Sequence, residues 1–170
     1  PDREKGFRQR RRFDQGQLDQ AMAGYQHALQ LAPDFAVAHY GAGNVWFERG
    51  CHDDAAASYR RALAIYPDYA DAHNNLGNTL QAQGRTLEAI ASYRRGLAVK
   101  PDFARVHSNL LFALNYPADV SAEALFAEHR AFESQHALAL AAEVQPHGNE
   151  RSPERRLRVG YVSADLRDHA

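Results

Sequence analysis

The sequence lacks several features that mark specialised classes of protein. It has no run of about 18 apolar residues, the length that a membrane-spanning helix needs, so no membrane segment is expected. Its single cysteine, Cys51, excludes an internal disulfide and favours a reducing compartment such as the cytoplasm. The formal net charge of -1 gives no general attraction to nucleic acid. The composition is otherwise that of an ordinary globular protein, with 45% hydrophobic and 24% charged residues.

The start of the chain also lacks recognisable targeting information. Residues 1–4 read Pro-Asp-Arg-Glu, with neither an initiator methionine nor an apolar signal segment. We therefore expect the chain to be part of a longer polypeptide.

The most informative feature is an internal repeat with a period of 34 residues. The recurring positions are Pro33, Pro67 and Pro101; Gly16, Gly50 and Gly84; Ala21, Ala55 and Ala89; Tyr25, Tyr59 and Tyr93; Ala28, Ala62 and Gly96; and Leu29, Leu63 and Leu97. Chance does not keep so many positions in phase. Small, aromatic and proline positions in this order resemble the tetratricopeptide repeat, a helix pair that buries its apolar face by stacking on further pairs.

Each unit is predicted to contain two helices. Between residues 70 and 83, apolar side chains recur every four positions, which indicates a helix with one buried face. Gly84 is suited to end this first helix because glycine readily adopts a left-handed backbone. A second helix is predicted over residues 88–99, and Pro101, which has no N–H group, prevents its continuation.

The repeat predicts an all-α, right-handed superhelix over residues 1–116. The predicted units are a degraded one at 2–35, complete ones at 36–69 and 70–103, and a last first helix at 104–115. In the degraded unit, the first helix carries Arg8 and Gln9 where the next unit has Ala42 and Gly43.

The pattern changes after the repeats. Ser121 is suited to cap a long helix, so residues 117–143 are predicted to form a transitional helix. Residues 144–156 are polar, contain two prolines and predict a linker. Apolar and polar residues alternate at the start of residues 157–170, which predicts a β-strand and loop that open a further domain.

Two segments after the repeats carry a family signature. Residues 109–117 with 128–130, and residues 157–169, resemble the junction and the start of the catalytic region of the O-linked N-acetylglucosamine transferase family. Leu166 stands where that family has an aromatic residue, and Ala170 where it has proline. The repeats alone are shared with many scaffolds, so these segments carry the resemblance.

The resemblance implies that the complete protein has a two-lobed, Rossmann-like (GT-B) domain. That domain would transfer N-acetylglucosamine from UDP-N-acetylglucosamine to Ser or Thr hydroxyls with inversion, using no metal. Contacts to the sugar nucleotide are expected beyond Ala170, so residues 1–170 alone are predicted to be inactive. His169 matches the family's active-site loop histidine, and an imidazole can accept a hydroxyl proton near neutral pH. Whether His169 is the base or a positioning group stays open.

Asparagines recur on the predicted first helices. Asn75 and Asn109 share one repeat position, and the resemblance implies that this position binds the backbone of an acceptor polypeptide in the groove of the superhelix. An amide suits that role because it both donates and accepts hydrogen bonds. Gly41 interrupts the series, and Asn44 and Asn78, one turn further, are expected to supplement it. The alternative is ordinary polarity of an exposed helix.

Histidines recur as well, but no metal site is predicted from them. His39, His73 and His107 lie on equivalent helices, which are about 10 Å apart in a stack, whereas zinc needs nitrogen ligands at about 2 Å. Packing or groove positions are the simpler interpretation. His129 and His136 fall on one helix face and are interpreted as a polar stripe.

Two other functions remain open from the sequence. The first is a non-enzymatic scaffold for protein interactions. The version that grips a terminal carboxylate is disfavoured, because Tyr40, Asn74 and Ser108 stand where such adaptors need Lys or Arg. The second is a related protein O-fucosyltransferase, since the same architecture could serve another sugar donor.

Overall fold

The computed structural model describes residues 2–138, with side chains described from Gly16 onward. This part of the chain is all-α and contains no strand. Its helices are α1 (Asp2–Leu31), α2 (Ala36–Glu48), α3 (His52–Ile65), α4 (Ala70–Ala82), α5 (Thr86–Val99), α6 (Ala104–Ala113) and α7 (Ala122–Phe132), and a π-helical turn (Glu133–Ala137) follows α7. None of these helices is both long and apolar enough to cross a membrane.

Helices α2–α3 and α4–α5 form two repeat units. A Schellman motif ends the first helix of each unit: Gly50, with φ 73°, donates its N–H to Phe47, and Gly84, with φ 75°, donates to Gln81. The residue after each glycine then donates its N–H to the carbonyl five positions earlier, as when Arg85 donates to Leu80 at 2.8 Å. The predicted role of glycine at this position is confirmed in both units.

Replacing Gly84 by Ala should destabilise the protein by about 1–2 kcal/mol, because a Cβ atom disfavours the left-handed backbone. Gly24 is the matched control, since it lies inside α1 with open space around it. Gly24→Ala should instead stabilise by about 0.5–1 kcal/mol. Urea unfolding followed by circular dichroism measures both. Equal effects of the two substitutions would contradict the assigned backbone role.

A continuous core runs from α3 to α6 and joins the two units. The rings of Tyr59 and Tyr93 are each 1% exposed. Each ring lies against a glycine of its own unit, Gly43 for Tyr59 and Gly77 for Tyr93, so closely that a Cβ atom there would collide with the ring. The recurrence of tyrosine and glycine is therefore one packing contact repeated.

Residues 2–35 differ from the two units that follow. The chain forms one continuous helix, α1, instead of a helix pair with a turn at Gly16. The sequence supplies the reason, because Arg8 and Gln9 replace the small apolar pair against which a second helix would fold back. The ring of Tyr25 consequently lies against Gly41 of the next unit.

Helix α7 begins where the sequence predicts. The hydroxyl of Ser121 accepts the N–H of Ala124 at 3.2 Å and caps the helix. The α-helix extends to Phe132 and continues as the π-helical turn Glu133–Ala137. The rest of the transitional segment, the linker 144–156 and the strand within 157–170 lie outside the described residues.

Candidate functional site

The four asparagines singled out in the sequence meet on one face of the first helices. Asn44 lies on α2, Asn75 and Asn78 lie on α4, and Asn109 lies on α6. Asn75 donates to the side-chain oxygen of Asn44 at 2.9 Å, and Asn109 donates to that of Asn78 at 3.2 Å. His169 lies outside the described residues, so the structure does not place it.

Three tyrosines and a fifth asparagine extend these contacts into what we call the amide network. Tyr59 donates to Asn44 and Tyr93 donates to Asn78, each at 2.8 Å. Asn74, which is buried, donates to Asn75 at 2.9 Å and accepts from Asn109 at 2.9 Å. The members are Tyr40, Asn44, Tyr59, Asn74, Asn75, Asn78, Tyr93 and Asn109.

The tyrosine hydroxyls fix which way the half-buried amides of Asn44 and Asn78 point. Burial raises the pKa of Tyr93 to about 12, and burial likewise raises the pKa of Tyr59. Both phenols therefore stay protonated at physiological pH and donate to their asparagine oxygens. With its oxygen held in this way, each amide directs its N–H groups away from the tyrosine.

Counting donors and acceptors shows what the amide network leaves available. Asn75 and Asn109 each use both side-chain N–H groups within the network. Asn44 and Asn78 each use both acceptor positions, while their N–H groups have no partner within residues 16–138. The oxygen of Asn109 has no donor in that part of the chain. The face thus offers N–H donors in successive units and a free amide oxygen.

Two cavities lie along the amide network. The larger, about 330 Å³, is lined by Asn44, Phe47, Glu48, Tyr59, Asn75 and Asn78. The smaller, about 220 Å³, is lined by Asn78, Gln81, Tyr93, Asn109 and Phe112. Apart from Glu48, every residue of the first set has its repeat equivalent in the second. The two cavities are therefore copies of one site. They differ at Glu48, which has no counterpart in the second set, and where Gln81 replaces Phe47 and Phe112 replaces Asn78.

Sequence reasoning missed the tyrosines and Asn74 as parts of this site. The repeat pattern indicates only a packing role for Tyr59 and Tyr93, and it marks Asn74 only as a position that lacks Lys or Arg. A signal was present, because each tyrosine follows its asparagine by 15 residues in both units. That offset joins a first helix to the second helix of the same unit.

Two of the three recurring histidines brace the turns between units, whereas His107 bonds Glu128 and His136 instead. His39 bonds the carbonyl of Pro33, and His73 bonds that of Pro67, each at 2.9 Å from Nε2. Within the described residues, no group of three or more His, Cys, Asp or Glu side chains is arranged to hold a metal.

His73 should make the fold sensitive to acid. Burial lowers the pKa of His73 below its ordinary 6.5, so the folded protein holds it neutral while the unfolded chain protonates it. Stability should be unaffected by His73 above that value and should fall as pH drops below it. Melting temperatures measured between pH 7.5 and about 5 test this. His73→Gln keeps a donor for the Pro67 carbonyl and should show a smaller drop, whereas an unchanged drop would contradict the assignment.

The comparisons with known proteins identify the repeats. Residues 10–50 and 43–84 match a family model described as TPR repeat, and residues 70–103 match one described as tetratricopeptide repeat. The chain belongs to the tetratricopeptide repeat family. No curated protein sequence matches the chain.

Solved tetratricopeptide structures resemble the chain at different levels. A mutant O-GlcNAc transferase from Thermobaculum terrenum is 35% identical, with a TM-score of 0.71, covering 91% of this chain and 29% of that one. This chain thus spans less than a third of that transferase. YrrB, a TPR protein with an unusual peptide-binding site, is 22% identical, with a TM-score of 0.63 and coverage of 72% and 62%. The first TPR of Spaghetti (RPAP3), bound to an HSP90 peptide, is 23% identical, with a TM-score of 0.57 and coverage of 66% and 86%.

Proposed function

We propose that these tetratricopeptide repeats bind the acceptor polypeptide of a protein O-N-acetylglucosaminyltransferase. The observation that supports this most is the 35% identity to an O-GlcNAc transferase across 91% of the chain. In the complete protein, a GT-B domain that follows the repeats would use UDP-N-acetylglucosamine. The single cysteine, Cys51, supports a cytoplasmic location.

The amide network suits binding of an extended backbone. Each residue of an extended peptide offers one C=O acceptor and one N–H donor. The free N–H groups of Asn44 and Asn78 match backbone carbonyls, and the free oxygen of Asn109 matches a backbone N–H. Because these groups recognise the main chain, the site would accept many sequences, as a general modifying enzyme requires.

The two cavities would set the spacing of side chains along the peptide. Units that repeat at about 10 Å correspond to about three residues of extended chain. Glu48 would favour a basic side chain at the first cavity, and the exposed ring of Phe112 an apolar one at the second. An acceptor with a basic residue about three positions from an apolar one is therefore the preferred substrate.

In this proposal, transfer proceeds by direct attack on the sugar. The acceptor hydroxyl oxygen forms a bond to the anomeric carbon, the bond from that carbon to the diphosphate oxygen breaks, and UDP leaves with the electron pair. The hydroxyl proton passes to a base, and His169 borders the site either as that base or as a positioning group. Groups that bind the sugar nucleotide belong to the domain that follows the repeats.

A scaffold without enzymatic activity is the second candidate. The likeness to YrrB and to the peptide-bound Spaghetti repeat favours it, although at these identities the likeness extends to the fold alone. A protein O-fucosyltransferase is a variant of the first candidate and differs only in the sugar donor.

Calorimetric titration of the full-length protein with UDP-N-acetylglucosamine, GDP-fucose and UDP distinguishes these candidates. The proposal expects selective binding of UDP and UDP-N-acetylglucosamine, and no binding by residues 1–170 alone. A preference for GDP-fucose would transfer the assignment to the fucosyl variant. If the folded protein bound no nucleotide, the non-enzymatic scaffold would be the remaining candidate. Turnover by His169→Ala then separates a base, whose loss changes the pH profile, from a positioning group.

A further inference from the structure

Helix α7 holds the place of a second helix against α6, but it packs there differently from α3 and α5. Those two helices bury four and five residues, whereas no residue of α7 is buried. The contact of tyrosine with glycine is missing, because Ala127 and Leu111 stand 34 residues after Tyr93 and Gly77. Leu125 is only partly buried where it packs on the core. Polar contacts therefore supply much of what holds α7 in place.

His107, the histidine of the third unit, makes those polar contacts. In the third unit, the carbonyl of Pro101 accepts a hydrogen bond from Gln135 at 2.7 Å, so the histidine does not brace this turn. His107 instead bonds the carboxylate of Glu128 through Nε2 at 3.0 Å, and Nε2 of His136 through Nδ1 at 3.1 Å. It is 3% exposed. Gln135 and His136 both belong to the π-helical turn, a conformation that often marks a functional site.

Hydrogen counting shows that this cluster can hold one extra proton but not two. An ionised Glu128 only accepts, so Nε2 of His107 carries a hydrogen. When both rings are neutral, Nδ1 of His107 accepts the N–H of His136. When one ring is protonated, a single hydrogen still lies between the two nitrogens, and the bond persists. When both rings are protonated, two N–H groups and two positive charges face each other at 3.1 Å, and the bond is lost.

Glu128 and His136 are the charged groups that contact His107 within residues 16–138. The other charged or titratable groups on the elements around it are bonded elsewhere or exposed: Arg105 pairs with Asp71 at 3.4 Å, Arg130 with Glu133 at 3.7 Å and Arg85 with Glu88 at 2.7 Å; His73 bonds Pro67; and Arg94, Arg95, Glu123 and His129 are exposed. The charge that His107 can carry therefore depends on Glu128 and His136.

We propose that His107 and His136 form a proton-operated clasp, which docks α7 near neutral pH and releases it in mild acid. The docked cluster holds at most one extra proton, whereas the two solvated rings of the released state take one each. Docking is therefore lost as pH falls, over the range below about 6.5 in which an ordinary imidazole becomes charged. The clasp acts on the end of the repeat array and does not depend on the proposed function.

Distances between spin labels report the docking of α7 in the 170-residue protein. In a Cys51→Ser background, nitroxides are attached to cysteines that replace Ala98 on α5 and Ala131 on α7, both exposed. Electron-electron resonance should give one narrow distance at pH 7.5 and lose it for a broad distribution at pH 5. The control pair replaces Ala64 on α3 and Ala98, both exposed, and should keep its distance at both pH values.

Two variants should change the response to acid in opposite directions. His136→Gln places an amide nitrogen near the position of Nε2, can donate or accept, and cannot be charged, so α7 should stay docked at pH 5. Glu128→Gln keeps an acceptor for Nε2 of His107 but removes the charge that favours the singly protonated cluster. Release should then occur about 0.5–1 pH unit higher than in the parent protein.

Three results would overturn the clasp. The first is an unchanged distance between α5 and α7 from pH 7.5 to pH 5. The second is equal broadening for His136→Gln and the parent protein, because the histidine pair would then not control docking. The third is equal broadening of the control pair, because acid would then unfold the repeats as a whole.

Discussion

Replacing Tyr93 by Ala is expected to lower the free energy of unfolding by about 3–5 kcal/mol, the largest effect among single substitutions considered for this chain. The ring is 1% exposed and lies against Gly77, so its removal leaves a cavity between α4 and α5. Tyr93→Phe removes only the hydroxyl that donates to Asn78, and should cost about 1 kcal/mol. Urea unfolding measures both. Similar losses for the two variants would mean that the hydroxyl, not ring packing, holds the unit together.

A double-mutant cycle checks that the contact with Gly77 is the cause. Gly77→Ala alone should destabilise by about 1–3 kcal/mol, because its methyl group meets the Tyr93 ring. In the Tyr93→Ala background, the same change should be neutral or stabilising, since the ring is absent and Ala favours the helix by up to about 1 kcal/mol. Additive losses would contradict the contact.

The second large effect is on binding. Changing both Asn44 and Asn78 to Ala should weaken binding of an extended peptide on the order of 10- to 100-fold, because the free N–H donors of two successive units are lost. A labelled peptide of about 15 residues, rich in Ser, Thr and Val with one Lys, reports this by anisotropy. Asn115→Ala is the control, because Asn115 bonds the backbone of α6 outside the amide network.

The same account separates donors from positioning residues. Changing Asn75 and Asn109 to Ala should weaken peptide binding less than changing Asn44 and Asn78, because the N–H groups of Asn75 and Asn109 are spent inside the network. Both double changes should lower the melting temperature, since all four side chains hydrogen-bond within the network. In the full-length protein, the change of Asn75 and Asn109 should reduce transfer to protein acceptors and leave UDP-sugar affinity nearly unchanged. Equal loss of both would indicate damage to the fold, and unimpaired protein transfer would contradict the peptide role of the network.

Much of the fold follows from the sequence because one contact pattern recurs. Glycine at 50 and 84 ends the first helices, and tyrosine at 59 and 93 packs on glycine within each unit. The first unit is harder to predict, because the sequence keeps Gly16 and Tyr25 but lacks the small apolar face against which a second helix packs. The 34-residue period alone therefore predicts a repeat unit. Whether the unit folds into a pair of helices depends on the residues at the contact between them.

The location of the candidate site could be predicted from the sequence, but the hydrogen bonds within it could not. Repeat position placed Asn75 and Asn109 on one face, and the structure brings all four predicted asparagines together. Which amide hydrogens remain free depends on bonds between residues 31 and 35 positions apart, such as Asn109 to Asn74. Those bonds follow from the distance between stacked units, which no local pattern encodes. Their effect is to move the available donors to Asn44 and Asn78.

The most direct test of the central claim is an NMR titration of the 15N-labelled chain with the Ser/Thr/Val-rich peptide. The account predicts that the side-chain NH2 resonances of Asn44 and Asn78 shift most, that those of Asn75 and Asn109 shift less, and that Asn115 is unchanged. Shifts confined to residues outside the amide network, or no shifts at millimolar peptide, would contradict the claim that the asparagine face binds polypeptide backbone.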